Sequence, residues 1–359
     1  MDIIREKNRR RNKRKRIAII FTLFTVSVVS MALCLMTLLS YEKQKNKALQ
    51  AMNKIRILEE ENSTMFSKKQ LDEMVNSKAQ EMLDKMQSMM EKGEGTLSLL
   101  QYFYPNHVIA SDSGRYHFFP IQEKLTKNDF ILENFTYPTK NEETGELEGE
   151  TTYKIDEHTY ARKGIDVSKF QGEIDWEKVK DDEMEYAIIR LGYRGYETGK
   201  MVVDDKYQEN IEGSLEAGLD TGVYFFTEAL TEKEAIEEAD FVIENLGDYK
   251  INMPVVLDVE ESASKEKTRT KDLTQEQRTK NVIAFCERIK EAGFDVMIYG
   301  NLKSFMIMMD FEKLEEYDKW LAYYKYPFHF PYKIKMWQYT STQQVDGIKG
   351  DVDVNLMFY

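Results

Sequence analysis

The period of hydrophobic and polar positions changes three times along the chain. From Ile17 to Ser40 there is no period, only a run without a single charged residue. It is long enough to cross about 30 Å of hydrocarbon as a helix. From 41 to 95 apolar residues step by four and three. Ala51, Ile55, Leu58, Asn62 and Met65 form one such series, with Asn62 its polar member, and Val75, Ala79, Met82, Met86 and Met89 form another. This spacing predicts a helical stalk, with Ser67 and Gln70 as a capping box that opens a second helix. The stripe is short and Met-rich, compatible with a coiled-coil homodimer and equally with solvated helices. Gly93-Glu94-Gly95 closes the segment.

Residues 96–160 change character again. Strand formers at His107–Ala110 and Tyr116–Phe119 flank Asp112-Ser113-Gly114 and predict a hairpin. The Glu-, Gly- and Thr-rich stretch Thr139–Thr151 reads as a loop or a long hairpin tip. A small β-rich module or linker with an aromatic mini-core is expected. From 161 onward strand and helix periods alternate. Strand-like runs are Gly164–Val167, Tyr186–Leu191, Gly222–Phe226, Pro254–Val259, Val296–Tyr299, Trp320–Tyr323, Ile334–Tyr339 and Val352–Val354. Helix-like runs fall at Trp176–Lys180, Lys206–Ala217, Glu232–Asn245, Thr274–Ala292 and Lys303–Met309. The pattern predicts an α/β fold, a TIM-like eight-stranded β/α barrel of parallel type, with helices missing after the last strands. A doubly wound open sheet is the alternative. It would bring a Gly-rich phosphate loop after its first strand, and Gly164–Gly172 is not G-x-G-x-x-G.

Charge orients this plan. Residues 1–16 hold nine Lys or Arg against Asp2 and Glu6, so with a total of -13 the rest of the chain carries -20. A basic block before an apolar run is expected to stay cytoplasmic. The organisation expected is therefore 1–16 cytoplasmic, 17–40 transmembrane, 41–95 stalk, 96–160 module and 161–359 barrel. The protein would cross the cell membrane once, with everything from Tyr41 outside. A cleaved signal peptide competes, but its apolar region would be shorter, and Ser30-Met31-Ala32 is a weak cleavage site. So acidic a remainder excludes nucleic acid as a natural partner. Cys34 and Cys286 lie far apart and predict no disulfide, and four scattered histidines predict no metal site. No cofactor is expected.

Candidate chemistry centres on Pro254-Val255-Val256-Leu257-Asp258-Val259-Glu260. Strand side chains alternate, so Val256, Asp258 and Glu260 share one face and Val255, Leu257 and Val259 the other. Two acids on one face of a buried strand are costly unless something uses them. Barrel enzymes carry working residues at the C-terminal ends of strands. Asp166 is on the first predicted strand and Asp353 on the last, with Asp351 read as a solvated turn residue. Aromatics accompany them: Tyr193, Tyr224, Phe226, Tyr299, Tyr323, Tyr324, Trp337 and Tyr339. Crowded carboxyls repel and raise at least one pKa, which suits a general acid, and aromatic faces suit sugar rings. An acid pair beside aromatics points to glycoside hydrolysis.

Residues 161–359 resemble the catalytic domain of glycoside hydrolase family 25, the muramidase-type lysozymes. The resemblance rests on Gly164-Ile165-Asp166-Val167-Ser168, Phe170-Gln171-Gly172, Ile174-Asp175-Trp176, Ala187-Ile188-Ile189-Arg190 and Gly222-Val223-Tyr224. It continues through Pro254–Glu260, Trp320-Leu321-Ala322, Trp337-Gln338-Tyr339-Thr340-Ser341 and Val352-Asp353-Val354-Asn355. It implies cleavage of the β-1,4 bond between N-acetylmuramic acid and N-acetylglucosamine in peptidoglycan glycan strands. It further implies Glu260 as general acid, Asp258 as the residue assisting the 2-acetamido group, and Asp166 and Asp353 as supporting aspartates. Phe170 departs from the family, which often has Trp or Tyr there. Tyr224, Phe226, Trp337, Tyr339 and Tyr193 are the candidate sugar contacts. A chitinase-type hydrolase is a second reading, weakened because Val256 and Met253 stand where such enzymes carry further aspartates. A non-catalytic wall-binding tether is a third, opposed by the intact acids.

Overall fold

The computed structural model describes residues 31, 35–58, 67–141, 147–158, 160–262 and 267–359. Most of the expected 17–40 membrane span, and all of 1–16, lie outside the described residues. Among those described, no helix is long and apolar enough to cross a membrane. The chain divides into two compact units, Met1–Glu94 and Gly95–Tyr359.

The first unit contributes a helix at 35–58 and another at Lys68–Glu91. The second is opened by the anticipated capping box. Ser67 Oγ accepts the Gln70 backbone N–H, and Gln70 Oε1 accepts that of Ser67. In this single chain the stripe residues Ile55, Leu58, Val75, Met82 and Met86 are exposed. Asn62 and Met65 lie outside the described residues.

The second unit is built on a closed ring of eight strands: β1 (Arg162–Val167), β2 (Tyr186–Arg194), β3 (Asp220–Phe226), β4 (Val255–Asp258), β5 (Val296–Asn301), β6 (Asp318–Ala322), β7 (Met336–Gln343) and β8 (Val352–Met357). Pairings from β1 round to β7 are parallel. The last strand corrects the all-parallel expectation, because β8 runs antiparallel to both β7 and β1. Only Gln344–Asp351 connects it to β7, and a parallel return needs a crossover of about a dozen residues or more.

Helices α1 (Trp176–Asp181), α2 (Tyr207–Glu216), α3 (Glu232–Leu246) and α4 (Gln275–Glu291) follow the first four strands. Each of α3 and α4 starts on a threonine cap, Thr231 and Thr274, whose side chain accepts a first-turn N–H. The expected helix at Lys303–Met309 is instead a short π-type turn, Ser304–Met308. Inside the ring, Tyr186, Ile188, Val256, Met297, Trp320 and Met336 form one apolar cluster. Gly164 makes room for it, since a Cβ there would sit 2.5 Å from the Tyr186 ring. Outside the ring, Val255, Leu257 and Val259 join the larger core under the helices.

Where helices are missing, residues 96–160 take their place. Val108, Ala110, Leu125, Phe135 and Tyr153 belong to the same core as the barrel's outer face. Phe130 packs on Phe358 with ring centroids 4.2 Å apart, and Phe135 meets Trp337 at 5.8 Å. Asn128 closes the seam, donating to the Phe330 carbonyl and accepting the Ile334 N–H at 2.9 and 3.0 Å. The segment is thus a layer of the barrel unit. Each aromatic it buries is worth about 1.5–3 kcal/mol. A fragment of residues 95–359 is expected to unfold in one cooperative thermal transition. A 161–359 fragment, with Trp337, Phe328 and Phe358 uncovered, should melt on the order of 20 °C lower or aggregate. Circular dichroism melts of the two fragments decide this, and equal melting temperatures would refute the layer's structural role.

Candidate active site

Alternation along each strand sends one side chain per layer into the ring, and the uppermost layer is polar. It lines a cavity of about 350 Å³ whose walls include Asp166, Arg190, Asp258, Glu260, Gln338 and Asp353. Tyr224, Phe226, Tyr299, Trp320 and Tyr324 complete it. The reversal of β8 is what brings Asp353 there. A residue at the start of a parallel strand would lie at the opposite end, whereas Asp353 pairs in register with Asp166 of β1.

Asp166 is the best-held of the four acids. Its Oδ2 accepts the Gln338 Nε2–H and the Asn355 Nδ2–H, each at 2.8 Å. Trp320 Nε1 in turn donates to Asn355 Oδ1 at 2.8 Å, which fixes that amide's orientation. With its nitrogen turned to Asp166, Gln338 offers Oε1 to two phenols, Tyr299 at 2.9 Å and Tyr324 at 2.5 Å. Burial, then the charge of Asp353, pushes Asp166 well above the ordinary carboxylate range, while the two amides pull the other way.

Burial also raises Glu260, and Asp353 adds to it. The Tyr299 hydroxyl beside Glu260 would favour the carboxylate if it donated, but its one proton is engaged by Gln338 Oε1. Asp258 is raised by burial first and then by Glu260 and Asp166, with Arg190 acting against them. Its Oδ1 is buried with no hydrogen-bond partner among the described residues. Asp353 is pushed up to about 6 by burial. Four carboxyls in one low-dielectric cavity cannot all ionise together at neutral pH. Arg190 is held by buried Asp204 at 2.6 Å from Nε and 2.5 Å from Nη2. Phe170, 77 % exposed, lies under its guanidinium at 4.9 Å. No group of His, Cys, Asp and Glu among the described residues is arranged to hold a metal ion.

The structure thus brings together Glu260, Asp258, Asp166, Asp353, Tyr224 and Phe226. It does not bring Trp337, Tyr339 or Tyr193 to the cavity. Gln338 points inward, so its neighbours Trp337 and Tyr339 point outward by strand parity. Trp337 is fully buried against Phe328 and Phe135, donating its indole N–H to the Tyr323 carbonyl at 2.7 Å. Tyr193 stands outside the wall, with its ring 5.8 Å from the Arg190 guanidinium. Arg190, Gln338, Trp320 and Asn355 were not singled out as site residues from sequence. The polar residue between the two aromatics of Trp337-Gln338-Tyr339 was the available signal, because parity forces it onto the other face.

The model of glycosyl hydrolases family 25 matches residues 165–348, just over half of the chain. Lysozyme M1 of Streptomyces globisporus is 29 % identical over 212 residues, covering 54 % of this chain and 66 % of that protein. The uncharacterized protein YegX of Escherichia coli K12 is 28 % identical over 202 residues, covering 55 % and 70 %. The modular autolysin LytC of Streptococcus pneumoniae superposes with a TM-score of 0.50 at 25 % identity, over 71 % of this chain and 61 % of LytC.

Asp353 gives a pH-dependent prediction. Its pKa is higher folded than unfolded, so the favourable proton is bound below about pH 4 and its contribution is lost as pH rises toward 6. Asp353→Asn removes that loss. The variant is expected to melt several degrees above the wild type at pH 7.5 and close to it at pH 4. A lower melting temperature at pH 7.5 would reverse the sign of the argument.

Proposed function

We propose that this chain, which belongs to glycosyl hydrolases family 25 and is a glycoside hydrolase of the muramidase type, cuts the β-1,4 bond between N-acetylmuramic acid and N-acetylglucosamine with Glu260 as its proton donor. The observation that carries the reading is the pair at the end of β4: Glu260, raised by burial, shares a cavity with Asp258, whose Oδ1 has no hydrogen-bond partner among the described residues. Its kinship with a named lysozyme supports the substrate class.

In this reading Glu260 gives its proton to the glycosidic oxygen as the bond to the anomeric carbon breaks. Asp258 Oδ1 accepts the N–H of the 2-acetamido group, which directs the acetamido carbonyl oxygen onto the anomeric carbon. Water then opens that cyclic intermediate, giving its proton to Glu260 and restoring the acid. Asp166 and Asp353 contribute negative charge beside the developing oxocarbenium centre. Arg190, fixed by Asp204, keeps the cavity from becoming wholly acidic and favours the ionised form of Asp258. Tyr224 and Phe226 offer ring faces to the sugar.

Glu260→Gln is expected to lower release of reducing ends from purified peptidoglycan by about 10²–10⁴-fold with the melting temperature retained. Mass analysis of the wild-type products should find N-acetylmuramic acid at the new reducing ends. Reducing N-acetylglucosamine instead would exclude the muramidase reading.

The reading extends to location. Residues 1–16 are basic and 17–40 uncharged, which supports a single-pass anchor with the barrel unit outside the cell membrane. The full chain should pellet with membranes, resist high salt, dissolve in detergent and be trimmed by protease added to intact cells. Recovery in the salt wash would overturn the anchor.

A further inference from the structure

Glu260 borders two cavities. The second, about 230 Å³, opens on the side of the connection between β4 and α4, and its walls include Ser262, Thr270, Lys271, Arg278 and Lys303. It is rich in unspent donors. Arg278, in the second turn of α4, is only 9 % exposed, yet among the described residues its guanidinium makes one hydrogen bond, to the Thr270 carbonyl at 3.3 Å, and no ion pair. A guanidinium has five N–H groups, so those not spent on Thr270 remain for a group that enters the cavity. The nearby Glu228 carboxylate does not take them up, because it accepts the hydroxyls of Thr268 and Thr270 at 2.6–2.9 Å.

The Ser262 hydroxyl, 6 % exposed, makes no hydrogen bond among the described residues, and it lines the same space. The wall also holds Glu261, paired with Lys303 at 2.7 Å, while Lys303 is shared with Asp112 at 2.6 Å. That leaves Arg278, Ser262 and the exposed Lys271 ammonium facing the cavity. A planar guanidinium with free N–H groups beside a free hydroxyl matches a carboxylate in size, charge and geometry.

We propose that this cavity binds a carboxylate carried by the same glycan strand that Glu260 cuts, outside the two sugar rings that react. The proposal rests on the muramidase reading. In peptidoglycan such a carboxylate belongs to the stem peptide on muramic acid, or to the lactyl group where the peptide is absent. The cavity would then select wall glycan over an uncharged N-acetylglucosamine polymer, which offers nothing to Arg278.

The test uses the purified full chain and three forms of peptidoglycan: native, with its carboxyl groups amidated, and stripped of peptide by an amidase so that only lactyl carboxylates remain. The wild type is expected to show a KM about 10–100-fold lower on native than on amidated glycan, with kcat little changed. Arg278→Gln should bring that ratio close to one, Arg278→Lys should restore part of it, and Ser262→Ala should reduce it. Stripped glycan that keeps the advantage over amidated glycan shows that a lactyl carboxylate is accepted as well as a stem-peptide one; stripped glycan that loses it restricts the ligand to the stem peptide, and both results support the cavity's role. Equal KM on native and amidated glycan, or a wild-type ratio retained by both Arg278→Gln and Ser262→Ala, overturns it. Should Arg278→Gln melt early, Ser262→Ala and Lys271→Ala are read in its place by the same criterion. If the wild type releases no N-acetylmuramic ends from any form, the muramidase reading falls first and the proposal with it.

Discussion

The two amide N–H groups that converge on Asp166 Oδ2 tie together three strands that meet where the ring closes. Gln338 reaches it from β7 and Asn355 from β8, both at 2.8 Å. This clamp settles more than the position of one carboxylate. It turns the Gln338 carbonyl toward the Tyr299 and Tyr324 hydroxyls, so the phenol beside Glu260 is oriented from across the cavity. Repulsion among four acids in one cavity adds to this, and how the barrel closes brings them together.

The layer formed by 96–160 is the second constraint. A β/α barrel ordinarily covers each strand with the helix that follows it. Here β5 is followed only by short turns, and no helix follows β6 or β7. Phe328, Trp337 and Phe358 would face water without cover. Phe130, Phe135, Tyr137 and Tyr153 supply that cover from the preceding part of the chain. An Asp112–Lys303–Glu261 network links the same layer to the rim beside Glu260.

Much of this was legible before any coordinates, for identifiable reasons. The parity of Val255–Glu260 separates core from cavity by itself, because Val255, Leu257 and Val259 alternate with Val256 and the two acids. Asp166 was legible in the same way. Asp353 was picked out by the same rule, as the acid on the last predicted strand, but the rule that working residues end parallel strands does not explain a residue that begins a reversed one. The short connection before β8 holds that explanation. Trp337 and Tyr339 misled because aromatics near acids suggest sugar platforms. They are core because an outer layer from distant sequence covers them, and a local pattern carries no trace of such a layer. Gln338 and Asn355 were hidden for the converse reason, since neutral amides carry no charge signature and gain importance only from what they touch.

The reversed strand also decides how the molecule can be held. β1 begins at Arg162, which pairs with Met357 near the end of β8. The ring is thus entered and left at the same end, the one opposite the carboxyls. Any attachment made through either of those two points grips the barrel by its base. The carboxyls lie at the far end of the ring from both points, so an attachment there leaves room at the mouth for a polymer too large to enter a closed pocket.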